Sequence, residues 1–299
     1  MRALTFEHFG AAGWRITDGR TVVLLDPYLS RIRFAGRRYG PHDATAVEGD
    51  PRPVIPMGAP PAVDAAFVDR TVPEADFVLC SHAHFNHVMD VPHIARRTGA
   101  VVIGSESVAN LCANRGVPDA QIHAVRGGED YAYAEIGVRV IPSLHSALSC
   151  KLYKDFGTIP RTSRPLALDE YVEGGTFAYE LRIGGRALLL FGSMNFVERE
   201  VAGLRPDAVF VASAPPRLEI RDYTARLLAA TGRPGLVVAT HWDDQGLPFG
   251  ADQSRMLARQ PAFVAEVKAA APEAAVVVPP HFHPFRLEPD GRVTGIETR

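Results

Sequence analysis

The chain has 299 residues, 46% of them apolar, with 32 Lys and Arg against 34 Asp and Glu and a formal charge of −2 at pH 7. That length and apolar share suit one large buried core, and residues 1–299 are read as a single domain. A nearly balanced charge without blocks of one sign argues against nucleic acid or an anionic membrane surface as a general partner and leaves small molecules.

No apolar stretch reaches the roughly 18 residues needed to span a bilayer, and Glu7 and His8 interrupt any signal-like opening, so a cytoplasmic protein is expected. Cys80, Cys112 and Cys150 lack paired spacing, which fits a reducing compartment rather than a disulfide framework. The pattern does not decide an oligomeric state.

Thr21-Val22-Val23-Leu24-Leu25 follows the turn-like Asp18-Gly19-Arg20 and reads as the second strand of an opening hairpin that closes at Asp26-Pro27. Periodicity then fades, and residues 30–61, punctuated by prolines, read as an inserted loop. Its Arg31, Arg33, Arg37 and Arg38 suit an anionic substrate if the loop covers a site, or form a solvated basic face.

Phe77-Val78-Leu79-Cys80 reads as a short buried strand, and the loop leaving it is Ser81-His82-Ala83-His84-Phe85-Asn86-His87. His82 and His84, one residue apart in extended chain, project to the same side and can share one ion, while His87 turns toward a neighbouring position. Hydrogen-bonded structural histidines are the alternative.

Val91 to Thr98 reads as a helix stopped by Gly99, Ala100 to Ile103 as a strand, and Ser107 to Asn114 as a second helix. Strands around Ile122–Val125 and Val138–Ile141 follow, with His145 just past the latter. Residues 146–175 form a second irregular stretch carrying Lys151, Tyr153, Lys154, Arg161 and Arg164, a lid or substrate wall in expectation, with Cys150 as an unligated thiol.

Thr176 to Ile183 alternates, with Phe177, Tyr179, Leu181 and Ile183 on one face, and turns at Gly184-Gly185 into Ala187 to Phe191. That strand ends in Gly192-Ser193-Met194-Asn195. Ala208 to Ala212 reads as a strand, Asp222 to Thr231 as a helix, and Leu236 to Ala239 as a strand delivering His241. Gln253 to Ala271 reads as one long amphipathic helix. His281 and His283, among prolines, read as structural residues or a pocket wall, before a hairpin at 287–293.

The run His82-x-His84-x-Asn86-His87, taken with His145, Gly192-Ser193 and His241, resembles the metallo-β-lactamase superfamily over roughly Phe6 to Asp244, in the branch of sugar-lactone hydrolases and lipid phosphodiesterases. The resemblance implies an α/β protein with a four-layer αββα sandwich. It also implies metal ligation by His82, His84 and His145, a second position at His87 and His241, and Asp26 as a support beneath the metal loop. The implied activity is hydrolysis of a small ester, lactone or phosphodiester by a metal-activated water.

Two residues depart from the family pattern: Asn86 and Ser193 stand where it has aspartates. Two dications about 4 Å apart repel unless anions offset the charge. One firmly bound ion is therefore expected, zinc with manganese or iron as alternatives, and a weak second site unless Asp243 or Asp244 reaches inward. Asn86, His87 and Ser193 are the catalytic candidates; Asn86, Ser193 and Asn195 can hydrogen-bond water or an oxyanion, and an unmetallated His87 or His241 can act as base. The competing readings are a non-catalytic metal-binding or ligand-sensing protein of the same fold and, third, iron-based oxidoreductase chemistry.

Overall fold

Strand residues alternate between faces, and here both faces are apolar. Val23 and Leu25, Leu79, and Ile103 point into one cluster, while Val22 and Leu24, Val78 and Val102 point into another. A sheet that is apolar on both sides must be covered on both.

The computed structural model describes residues 1–35, 49–148, 151 and 155–299; the expectations on Arg37, Arg38, Cys150, Tyr153 and Lys154 lie outside them. One sheet has eight strands in the order Val293–Thr294, Phe285–Leu287, Leu4–Gly10, Gly13–Thr17, Val22–Leu25, Phe77–Leu79, Val101–Gly104, Ile122–Ala124. It is antiparallel up to Val22–Leu25 and parallel from there on. The second has seven, in the order Ala275–Val277, Leu236–Thr240, Ala208–Ala212, Arg186–Phe191, Phe177–Ile183, Gly137–Pro142, Asp130–Ala132. Its first four strands are parallel and the remainder antiparallel.

The sheets face each other across Phe6, Trp14, Val23, Leu25 and Leu79 from one and Val140, Tyr179, Leu181, Leu190, Phe210 and Val238 from the other. The outer face of the first packs on Val68, Val91, Ile94, Val108 and Leu111 of helices Ala65–Thr71, Val91–Thr98 and Glu106–Asn114. The outer face of the second packs on Leu227, Leu228, Phe263 and Val267 of helices Tyr223–Ala230 and Gln260–Ala270. The layers are therefore helix, sheet, sheet, helix, the αββα sandwich.

Several boundaries differ from the sequence reading. Val22–Leu25 is the second strand of a hairpin with Gly13–Thr17, as read, but one strand precedes that hairpin: Leu4–Gly10 pairs with Gly13–Thr17 and also with Phe285–Leu287 at the far end of the chain. The long helix expected over 253–271 is two, Ser254–Leu257 and Gln260–Ala270; Pro261 has no amide hydrogen to continue the first helix and occupies the opening turn of the second.

Residues 30–61 contain a short parallel pair, Arg33–Ala35 with Val54–Pro56. Residues 155–175 are packed rather than lid-like, with Ile159, Leu166, Leu168 and Tyr171 buried in the cluster under the first sheet's helices.

The inter-sheet layer sets the stability of the frame. Phe210 is fully buried, with its ring edge-on to Trp14 at 4.8 Å between centroids and 5.4 Å from Phe6. Phe210→Ala is expected to cost about 3–5 kcal/mol, through lost transfer energy and a cavity that rigid sheets close poorly. Urea denaturation of the two proteins measures it.

Candidate metal centre

Each candidate residue sits where a strand runs out at the same edge of the sandwich. Asp26 follows Val22–Leu25, the histidine loop follows Phe77–Leu79, His145 follows Gly137–Pro142, Ser193 follows Arg186–Phe191, and His241 follows Leu236–Thr240. Bonds across the layers pin the two rims together. Tyr179 Oη donates to the Cys80 carbonyl at 2.7 Å, the Phe177 amide donates to the Ser81 carbonyl at 2.8 Å, and Trp14 Nε1 donates to Thr240 Oγ1 at 2.8 Å.

The sequence-separated imidazoles converge. Donor atoms of His82, His84 and His145 all lie within 4.8 Å of one another. Ring centroids are 4.9 Å apart for His82–His84 and His82–His145 and 4.7 Å for His84–His145. His87 lies 3.8 Å from His82, ring to ring, and His241 lies 5.5 Å beyond His87. All five line one cavity of about 450 Å³.

Asp26 underlies the loop. Its fully buried carboxylate accepts from the Ser81 amide at 2.7 Å, from Ser81 Oγ at 2.5 Å and from His87 Nδ1 at 2.8 Å. Because the Ser81 hydroxyl hydrogen goes to Asp26, its oxygen accepts from His82 Nδ1 at 3.0 Å. Both imidazoles therefore carry their hydrogen on Nδ1 and keep the Nε2 lone pair.

The same tautomer holds at His145, whose Nδ1 donates to the Ser146 carbonyl at 3.1 Å. Gly192 passes so close above Asp26 and Ser81 that a Cβ there would overlap both side chains.

Burial favours the neutral ring, the form that ligates a metal, at His82, His145 and His241. It lowers the pKa of His82 well below the usual value, with the neighbouring imidazoles His87, His145, His84 and His241 adding to the effect. It brings His145 down to about 4 and His241 down to about 3, His87 lowering both further. His82 Nε2 and His241 Nδ1 are buried with no hydrogen-bond partner among the described residues, and an imidazole lone pair left dry in this way is what an ion would satisfy. His82, His84 and His145 thus fit a metal.

Backbone strain gathers in the same place. Asp26 and His241 have φ of 41° and 51°, and Ala11, whose carbonyl accepts from the His241 amide at 2.8 Å, has 47°. Non-glycine residues in this region persist only where surroundings over-determine them, commonly at functional sites.

Other expected residues have different work. Ser193 Oγ accepts from the Ser146 amide at 2.9 Å, and Asn195 Nδ2 donates to the His145 carbonyl at 3.2 Å, so both hold the His145 segment in place. Asn86 lines the cavity and donates to Gln245 Oε1 at 2.8 Å.

Asp243 lines the cavity and is held there by other partners. Its Oδ2 accepts from the buried Arg31 guanidinium and bonds His281 Nε2 at 3.0 Å, and its Oδ1 accepts from the Ala11 amide at 2.8 Å. Arg31 is thereby used internally and is not a substrate contact, and His281 belongs to this cluster. His283 Nε2 donates to the Gly295 carbonyl at 3.0 Å, on an exposed edge. Asp244 Oδ1 accepts from the Gly246 amide at 3.0 Å.

Ser81 and the Arg31–Asp243 pair escaped the sequence reading, since neither lies in a spacing pattern. The serine preceding the first ligand was the one local signal.

The model of the beta-lactamase superfamily domain matches residues 5–185, more than half of the chain, and the chain belongs to this family. His82, His84, His87 and His145 lie inside the match; Ser193 and His241 lie beyond it.

A UPF0173 metal-dependent hydrolase of Heliobacterium modesticaldum is 32% identical over 147 residues, 49% of this chain and 47% of that protein. One of Pelotomaculum thermopropionicum is 30% identical over 42% of this chain and 50% of its own. The matches thus span about half the length of the curated relatives.

Among solved structures, the metallo hydrolase Igni18 of Ignicoccus hospitalis superposes with a TM-score of 0.55 at 17% identity, covering 96% of this chain and 99% of that one. The diiron β-hydroxylase CmlA of Streptomyces venezuelae gives 0.56 at 15%, covering 98% of this chain and 54% of that one. At such identities the likeness concerns the fold.

Asp26→Asn tests the support. The amide would accept from the Ser81 backbone but present N–H to His87 Nδ1, moving the His87 hydrogen to Nε2. Nitrogen-15 NMR of the metal-free protein is expected to show His87 change from the Nδ1–H to the Nε2–H tautomer, and metal affinity is expected to fall about 10- to 100-fold.

Proposed function

We propose that this protein is a metal-dependent hydrolase acting on a small ester, lactone or phosphodiester. The observation that carries the proposal is the convergence of His82, His84 and His145, from loops on two different sheets, at one wall of a cavity of about 450 Å³. That volume suits a small molecule.

His82, His84 and His145 would hold one ion, zinc by the preference of three-imidazole sets, and such an ion supplies an acidified water and a polarising charge when bound. Manganese and iron are the alternatives. His87 and His241 form a weaker second position, because Asn86 and Ser193 add no charge and Asp243 is neutralised by Arg31.

When the second position is empty, His87 has the arrangement of a general base. Its Nδ1 hydrogen is held by Asp26 at 2.8 Å, which orients the ring, leaves Nε2 to accept a proton and stabilises the imidazolium that results. Asn86 lines the cavity and can hydrogen-bond a developing oxyanion, while Ser193 acts through the His145 segment.

The cavity walls describe the substrate. Phe34, Phe85, Met194 and Met256 offer apolar surface, and Arg33, Arg255 and Arg259 bring positive charge. An apolar body bearing an anionic group matches both. The described cysteines, Cys80 and Cys112, are free thiols, in keeping with a cytoplasmic setting, and no helix among the described residues is long and apolar enough to cross a membrane.

Neutral Asn86 and Ser193, each with its own hydrogen-bond partner, favour the second reading, a metal-binding protein without turnover. Elemental analysis of protein purified without added metal is expected to give about one tightly held ion per chain. On a panel of lactones, esters and phosphodiesters, His84→Ala is expected to lose activity by at least about a hundredfold. Metal binding with no turnover on any substrate would establish the second reading instead.

A further inference from the structure

Two carboxylates, Asp243 and Asp244, line the cavity with the histidines, and neither belongs to the donor set of His82, His84 and His145. The five imidazoles bring no negative charge, and Asp26 faces the loop from beneath with three donors upon it. Asp243 answers Arg31 and His281. A dication held by neutral groups alone leaves its charge poorly compensated in a desolvated site.

The irregular stretch after His145 brings up another carboxylate. Asp155 Oδ2 lies 3.7 Å from His84 Nε2, its side chain 22% exposed against 4% for His84. That separation exceeds hydrogen-bond range and is slightly longer than the spacing of two donors on one ion, since bonds of 2.0–2.2 Å in tetrahedral arrangement put ligand atoms about 3.3–3.6 Å apart. Asp155 stands outside the set of donors that lie within 4.8 Å of one another, so its carboxylate would close on the ion by a short side-chain movement.

The backbone ties this placement to the histidine loop. The Asp155 carbonyl accepts from the Glu173 amide at 3.0 Å, and the Glu173 carbonyl accepts from the Ala83 amide at 2.8 Å, Ala83 being the residue between His82 and His84. Asp155 itself has φ of 64°, a conformation that aspartate and asparagine tolerate better than most residues.

We infer that Asp155 is the anionic donor of the metal centre, reaching the ion from the His84 side and replacing in charge the aspartates missing at 86 and 193. This rests on the metal reading of His82, His84 and His145. The carboxylate comes from a loop rather than from a strand end, so it supplies the charge without occupying either family position.

Chelator-stripped protein titrated with Zn²⁺ against a competing indicator, and with Co²⁺ followed by its visible spectrum, tests the inference on wild type, Asp155→Asn and His84→Ala. Asparagine keeps the shape and tolerates the backbone. Asp155→Asn is expected to weaken both metals at least tenfold and to alter the cobalt bands, while the metal-free variant melts at the wild-type temperature.

Wild-type affinity and an unchanged cobalt spectrum in Asp155→Asn would overturn the role of Asp155 and leave the histidine centre standing. Weakened binding accompanied by a lower melting temperature of the metal-free variant would also overturn it, as the mark of a structural strap. No binding by wild type, or wild-type binding by His84→Ala, would overturn the metal reading itself.

Discussion

The site depends on one carboxyl group kept dry. A carboxylate inside a sandwich of sheets is costly unless donors replace the water it gives up, and Asp26 receives three, from the Ser81 amide, the Ser81 hydroxyl and His87. The same bonds fix the ring orientation of His87 and, through the serine, of His82. Gly192 is required above them because there is no space for a side chain. The charge that stabilises the loop is thus also the charge that orders the imidazoles.

Strand direction explains how distant residues meet. The strands ending at Leu25, Leu79, Pro142, Phe191 and Thr240 all finish at one edge, and loops there carry Asp26, the histidine run, His145, Ser193 and His241. Loops carried on a rigid frame can hold strained conformations, and the positive φ at Asp26 and His241 is part of that frame's effect. The second rim is locked independently by Arg31 and Asp243, which join the start of the first inserted segment to the loop after His241.

Much of this was legible from residue order. Alternation at 176–191 predicts the hairpin and its inward face, borne out by Phe177, Tyr179, Leu181 and Ile183 in the inter-sheet layer, and the four-layer architecture follows the resemblance carried by the histidine run. Local pattern fails where partners are remote. Leu4–Phe6 pairs with Phe285–Leu287 across nearly the whole chain, and nothing in either segment names the other. The same holds for Arg31, which reads as a surface cation until Asp243 is placed beside it. It holds again for Ser193, whose hydroxyl accepts from the Ser146 amide at the cavity wall, and for Asp155, in a stretch without period.

The division of the five imidazoles between the sheets has a consequence for assembly. His82, His84 and His87 come from the eight-stranded half, and His145 and His241 from the seven-stranded half. Neither half alone carries the whole set His82, His84 and His145, so capture of an ion by that set would wait until the seam between the halves has closed. Once seated, the ion would act as a rivet across that seam, linking the retention of the cofactor to the persistence of the tertiary structure itself.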